Sequence, residues 1–430
     1  MGQEIEKLWK SEDYWAIWFS VILFTGISTG LITVVPKVKK WVSDPLQAVP
    51  ADLGLWILYL GIALGVLMTI GVAIMREDWR KFFGGFTIVF VLAVVSYIVA
   101  AQTTIKAWGL GYAIWALFFG LLIANTIGTP KWILKGAKSE MFIKTGLVLL
   151  GGEILFSEIL QLGAPGLLVA WCVTPTVILF MWFFGTRWLK MASKRLTIII
   201  AAATSVCGVS AAIAVAAACR AKKAELTLAV GMTMIFTVLM MIGMPALCNM
   251  VGMNPAVAGG WLGGTIDSTG AVVAAGAFLG PVAEKVAAVV KMIQNVLIGV
   301  VAFVVALFWV TKVDRDPKAP RPSLMEIWYR FPKFILGFAA ASVVFSFILM
   351  PIYGHEEVSQ ILKLSKVFRG WFFCLAFVAI GLESNFKELA SQLVGGKPII
   401  LYIIGQSFNL ILTLLMSWIA FGGILFAPFE

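Results

Sequence analysis

Charge is what this sequence has least of. Only 13% of its 430 residues are Asp, Glu, Lys or Arg, against 61% hydrophobic. A water-soluble globular domain carries about a quarter charged residues and about half apolar ones. This chain could not cover its apolar surface in water, which excludes a secreted enzyme, a nucleic-acid-binding domain and a disordered regulator. Histidine is almost missing: His355 is the single one and falls in a polar interval, so no histidine-based metal or proton chemistry is expected. The five cysteines, Cys172, Cys207, Cys219, Cys248 and Cys374, form no CxxC pair, which points away from a metal site and from a disulfide framework. No HExxH pair, Gly-x-Ser-x-Gly elbow or acidic metal cluster falls inside an apolar run, and no ATP-binding motif is present. An enzyme is therefore not expected, nor a cofactor beyond coupling protons or sodium.

What the sequence has instead is long, continuous apolar runs, without the alternation of a β-barrel. A spanning helix needs about 20 apolar residues. We read thirteen spans: 14–35, 53–75, 82–101, 111–128, 141–157, 164–186, 196–219, 226–250, 256–279, 286–310, 333–353, 371–386 and 398–426. Lipid offers backbone groups no partners, so such spans are helical. The fold class is an all-α polytopic membrane protein. Residues 1–13 are polar and the first apolar run is long enough to span, so no cleavable leader is expected.

The net charge of +11 fits basic cytoplasmic loops. Of the 33 Lys and Arg, 20 fall on the N-terminal side of the spans and 11 on the other. The bias puts the N-terminus in the cytoplasm of a cell inner membrane and the C-terminus outside. Arg220, Lys222 and Lys223 run against it; either the rule is locally weak or the span before them is not a simple crossing.

The chain divides by composition into an N-terminal three-helix extension (1–110), a first core part (111–310), a proline-rich cytoplasmic linker (311–332) and a second part (333–430). The run Gly152-Glu153-Ile154-Leu155-Phe156-Ser157-Glu158-Ile159 resembles Leu382-Glu383-Ser384-Asn385-Phe386-Lys387-Glu388-Leu389, with four positions in agreement, three identical and one an Ile/Leu pair, at a constant offset of 230. Seven spans separate the copies. An odd number inverts the second copy, and inverted repeats are a building plan of secondary transporters.

Two segments interrupt the apolar pattern. The first, 203–212, contains Thr204, Ser205, Cys207, Gly208 and Ser210. The second, 259–270, contains five glycines with Thr265, Asp267, Ser268 and Thr269. Glycine weakens helices, and an acid near the bilayer centre costs about 2.5–3.5 kcal/mol on insertion scales. The pattern predicts two discontinuous helices. A half-helix N-terminus offers free N–H groups and partial positive charge, enough to hold an anion without a formal cation. Tight packing through small residues is the competing reading. Candidate substrate-binding residues are Ser205, Cys207, Gly208, Ser210, Thr265, Ser268, Thr269, Gly270, Lys291 and Asn295; candidate coupling acids are Asp267 and Glu383. Asp267 reads either as a helix cap or as a protonatable coupling group. Lys291, Gln294 and Asn295 share one helical face. Lys291 either snorkels to the headgroups or is a buried cation facing an anion or Asp267. Lys144 lies nearer a span end, where snorkelling fits. Gln406 and Asn409 read as interhelical hydrogen-bonding residues.

These residues resemble the sulfate exporter family of YeiH-like proteins. The resemblance rests on Thr204-Ser205-Val206-Cys207-Gly208 with Arg220, Lys222, Lys223 and Glu225 behind it, on the glycine motif ending at Gly276 followed by Val290-Lys291-Met292, on Phe331-Pro332 with Leu336-Gly337-Phe338, and on Ala379-Ile380-Gly381-Leu382. It covers roughly residues 110–426. The first three spans are an extension beyond shorter members. Where the family pattern has a His-Glu pair after the glycine segment, this chain has Asp267-Ser268. The resemblance implies a multi-pass inner-membrane carrier with inverted repeats and broken crossing helices, similar to the bile-acid and sodium–proton antiporter transporter folds. The expected function is a secondary transporter of a small anion such as sulfate, sulfite or an organosulfonate. The alternatives are a sodium- or proton-coupled carrier of another solute and a channel. Its partners are the small anionic substrate and the lipid bilayer, without nucleic acid; a homodimer is left open.

Overall fold

A computed structural model describes residues 8–107, 111–314, 323–387, 396–427 and 429. The linker run 316–322 and the repeat residues Glu388 and Leu389 lie outside the described residues. In chain order the main helices are α1 (Glu12–Ser28), α2 (Ala51–Ile74), α3 (Trp79–Ala100), α4 (Tyr112–Thr126), α5 (Ser139–Glu153), α6 (Phe156–Phe183), α7 (Lys194–Ala202), α8 (Gly208–Ala218), α9 (Lys223–Met250), α10 (Pro255–Thr265), α11 (Thr269–Leu279), α12 (Pro281–Phe308), α13 (Phe334–Val344), α14 (Met350–Glu383) and α15 (Lys397–Phe421). No strand occurs among the described residues. Eight helical stretches among them are long and apolar enough to cross a membrane.

Three features differ from the hydropathy reading. The helix that carries 371–386 begins far earlier than the apolar run, just after Gly354, whose non-helical backbone (φ 78°, ψ 169°) separates it from the helix that covers 333–353. His355 therefore lies at the start of a helix rather than in a loop; the first turns of that helix are polar and fall outside the hydropathy run. The first span stops at Ser28 instead of 35. Helices α4 and α5 are each 15 residues long, shorter than a perpendicular crossing requires.

The helices form two compact units interleaved in sequence: 1–158 with 333–385, and 159–332 with 386–430. The chain leaves the first unit twice, just after Glu158 and just after Asn385. Both passages fall within the repeated motif, whose glutamates, Glu153 and Glu383, are the last residues of α5 and α14.

In the first unit α5 is buried on almost every side. Gly120 and Gly381 bring α4 and α14 into backbone contact: a Cβ at Gly120 would lie 2.5 Å from the Val378 oxygen. Trp371 stacks on Phe90 and hydrogen-bonds the Pro36 carbonyl. The Arg369 guanidinium donates to Glu153 (2.8 Å) with both side chains nearly buried. Lys144 pairs with Asp13 and Glu140 rather than reaching outward. Lys138, before α5, lies between Glu12 and Glu77. Burial works against its charge, but the two carboxylates outweigh it and raise its pKa.

In the second unit the glycine segment becomes a wedge. Gly259 and Gly263 face α12, where a Cβ would meet the Ala283 and Ala287 oxygens at 2.7 and 2.8 Å. Gly260 and Gly264 face α15, where it would meet Ser417 Oγ and Thr413 Cγ2. Two adjacent small-xxx-small faces let α10 sit between two helices at once. Asn254 starts α10 by accepting from the Ala256 and Val257 N–H groups, with Pro255 next.

Candidate functional site

The second unit contains two helix interruptions. The first lies between α7 and α8. The chain widens into a π turn at Ala203–Cys207, and Cys207 leaves helical geometry (φ −149°). The second lies between α10 and α11, where Ile266 and Ser268 are extended. A helix end leaves carbonyls without intrahelical partners, and buried carbonyls need donors.

At the first interruption, Asn409 Nδ2 donates to the Thr204 oxygen (3.1 Å). Gln294 Nε2 and Thr174 Oγ1 donate to the Ser205 oxygen (3.0 and 2.9 Å), and Lys291 Nζ to the Val206 oxygen (2.5 Å). At the second, Gln294 Nε2 donates to the Gly264 oxygen (3.1 Å), Gln406 Nε2 to the Thr265 oxygen (3.2 Å) and Lys291 Nζ to the Ile266 oxygen (2.7 Å). Lys291 spends its third proton on Gln294 Oε1 (2.7 Å). Its ammonium has three donors, and all three go to protein oxygens. Lys291 is 1% exposed. It does not snorkel; it ties both interruptions to α12. Asn295, one residue beyond Gln294, donates to Thr269 Oγ1 (3.0 Å).

The half-helices beyond the interruptions start without side-chain caps: Cys207 precedes α8 and Ser268 precedes α11, and neither side chain accepts from the helix it leads. These two N-termini converge. Cys207 Sγ lies 3.7 Å from Thr269 Oγ1, and a Cβ on Gly208 would sit 2.9 Å from the Asp267 oxygen. Gly208, Gly270 and Thr269 are buried, and Ser268 is partly exposed. Two of the remaining candidates are turned elsewhere. Ser205 Oγ donates back to the Ala201 oxygen (2.7 Å), so its carbonyl rather than its hydroxyl takes part. Ser210 is exposed on α8.

Asp267 is 1% exposed and takes no cap role; the Tyr402 hydroxyl donates to its Oδ2. Tyr402 stacks on Phe236 (centroids 4.5 Å apart). Four oxygens around this second interruption, Thr265 Oγ1, Asp267 Oδ1, Asn295 Oδ1 and Gln406 Oε1, are buried without a hydrogen-bond partner. Glu383, grouped with Asp267 from sequence, belongs to the first unit, where Ser139 Oγ donates to it (2.7 Å). Among the described residues no three His, Cys, Asp or Glu side chains cluster as a metal centre of that kind would need.

Sequence reasoning missed Tyr402. The signal was available: Tyr402, Gln406, Asn409, Thr413 and Ser417 follow one another at steps of three or four, a polar stripe along α15. Each makes a hydrogen bond within the unit.

A family model described as conserved hypothetical protein 698 matches residues 84–402, starting within α3. A UPF0324 membrane protein of Rhodopirellula baltica is 51% identical over 389 residues, 90% of this chain and 71% of the relative. One of Nitratidesulfovibrio vulgaris is 53% identical over 369 residues, 84% of this chain and 63% of the relative, so this chain spans less than two thirds of that relative's length. One of Nitrosomonas europaea is 31% identical over 454 aligned positions, with 92% of each chain covered. No solved structure matches.

Proposed function

The chain belongs to the UPF0324 family of multi-pass membrane proteins, and from that premise we propose that it is a secondary carrier of a small anion rather than an enzyme. The observation that supports this most is the convergence of two uncapped half-helix N-termini in one unit. Each presents free N–H groups and partial positive charge, and a helix terminus holds an anion without a formal cation. The anion is held by the first turns of α8 and α11, at Cys207, Gly208, Ser268, Thr269 and Gly270. Lys291 supplies positive potential from behind while holding the carbonyls on the opposite side of each interruption. Discontinuous helices with this division of labour are how many secondary transporters build a midplane site.

The resemblance to YeiH-like sulfate exporters suggests sulfate, sulfite or an organosulfonate as substrate. In this reading the chain makes thirteen crossings of the cell inner membrane with a cytoplasmic N-terminus, and the Glu153 and Glu383 motifs end equivalent helices of an inverted repeat. Asp267 is the coupling acid.

The test is counterflow in proteoliposomes, with unlabelled sulfate inside and labelled sulfate outside. Saturable uptake is expected, with sulfite and sulfonates competing. Thr269→Val keeps volume but removes the hydroxyl that meets both Cys207 and Asn295. It should raise half-saturation about tenfold, the equivalent of one hydrogen bond. Folded protein that exchanges none of sulfate, sulfite, sulfonates or carboxylates saturably would sink the proposal.

A further inference from the structure

We propose that Thr265 Oγ1, Asp267 Oδ1, Asn295 Oδ1 and Gln406 Oε1 form a sodium-ion site at the second interruption. The four are buried and lack hydrogen-bond partners. Burying an oxygen acceptor without a donor is costly, and here four such oxygens fall around one helix interruption. All four are tethered to one short segment. Thr265 and Asp267 belong to it, Gln406 donates to the Thr265 carbonyl, and Asn295 donates to Thr269. The amide of Gln406 cannot be reversed to remove the problem. Its nitrogen already serves the Thr265 carbonyl and Met240 Sδ, both acceptors, so its oxygen is the end without a donor.

The chemistry selects the occupant. Oxygen donors without nitrogen or sulfur suit a hard cation. One carboxylate among neutral oxygens balances one charge, and the Lys291 ammonium, bonded to the Ile266 oxygen beside Asp267, disfavours a divalent ion. A proton on Asp267 adds one donor against four oxygens; a monovalent cation takes carboxylate, amide and hydroxyl oxygens alike as ligands. Unwound backbone and half-helix ends are where transporters hold coupling sodium.

This deepens the carrier reading by naming its coupling ion. The formal charges of Asp267 and Lys291 cancel. Sodium makes the cluster net positive beside the N-termini of α8 and α11, so sodium and anion each raise the other's affinity.

The experiment is thermal unfolding of the purified full chain in detergent, titrated with NaCl against KCl, CaCl2 and choline chloride at matched ionic strength and pH. Tm is expected to rise saturably with sodium and not with choline, because a ligand of the folded state alone stabilises it. Asp267→Asn keeps the shape and an acceptor for Tyr402, and should abolish the sodium response. Thr265→Val removes one ligand and should raise the sodium midpoint about tenfold; it decides the question if Asp267→Asn does not fold. A wild type equally stable in sodium and choline overturns the site. So does an Asp267→Asn variant with the full response, a Thr265→Val midpoint equal to wild type, or a stronger response to calcium than to sodium. Labelled-anion counterflow on the same preparation separates the two ideas. Sodium stabilisation without anion exchange removes the carrier reading and leaves the site; anion exchange without sodium stabilisation does the reverse.

Discussion

The two interruptions of the second unit solve the same backbone problem with different side chains. In both, three consecutive carbonyls accept from side-chain donors, with Lys291 and Gln294 serving each. At the first interruption the local hydroxyls also close on themselves: Thr204 and Ser205 donate back to Ile200 and Ala201. At the second, Thr265 and Asp267 keep buried oxygens without partners, and a tyrosine from α15 is needed to meet the carboxylate. The first is a satisfied bend. The second holds polar capacity beyond what its fold uses, and it is there that the sodium site is proposed.

Lys291→Met is expected to have the largest effect, because it acts on both interruptions. It leaves the Val206 and Ile266 carbonyls without a donor. Hydrogen bonds to a charged group are worth about 1.5–3 kcal/mol each, so a loss of more than about 3 kcal/mol is expected in denaturant unfolding, together with loss of anion exchange. A variant as stable as wild type would show that the two interruptions are held by packing alone.

Tyr402→Phe acts on the second interruption only. It keeps the stacking on Phe236 and removes the hydroxyl that meets Asp267. One charge-assisted hydrogen bond corresponds to about 1.5–3 kcal/mol, and the pH profile of transport should move with it. An unaltered pH profile would mean that Asp267 takes no part in coupling.

Thr204→Val should have the smallest effect. Its hydroxyl only returns to its own helix, so about 1 kcal/mol or less is expected, with the sodium midpoint unchanged. Equal sensitivity of Thr204→Val and Thr265→Val to sodium would erase the distinction between the two interruptions.

Much of this was legible in the residues. Five glycines and an acid in an apolar run located the second interruption, and small hydroxyl residues located the first. The spacing of Lys291, Gln294 and Asn295 placed them on one face, and the structure uses that face for both interruptions. Three things were not legible. Tyr402 lies 135 residues from Asp267, and nothing local to either names the other. Glu383 resembles Asp267 as an acid at the end of an apolar run, yet the chain folds it into the other unit, where Ser139 answers it. The stretch after Gly354 reads as a loop because its residues are polar, while a new helix begins there.

The sequence by itself determined that this is an all-helical membrane protein and where its helices would fail. Hydropathy and glycine content act residue by residue, and lipid enforces the result by refusing bare backbone. Only the tertiary structure decided which donors meet the freed carbonyls and which acceptors go without. Those pairings join residues as far apart as Thr204 and Asn409. They depend on how close the glycine faces of α10 let α12 and α15 come, a property of packed helices that no single stretch of chain contains.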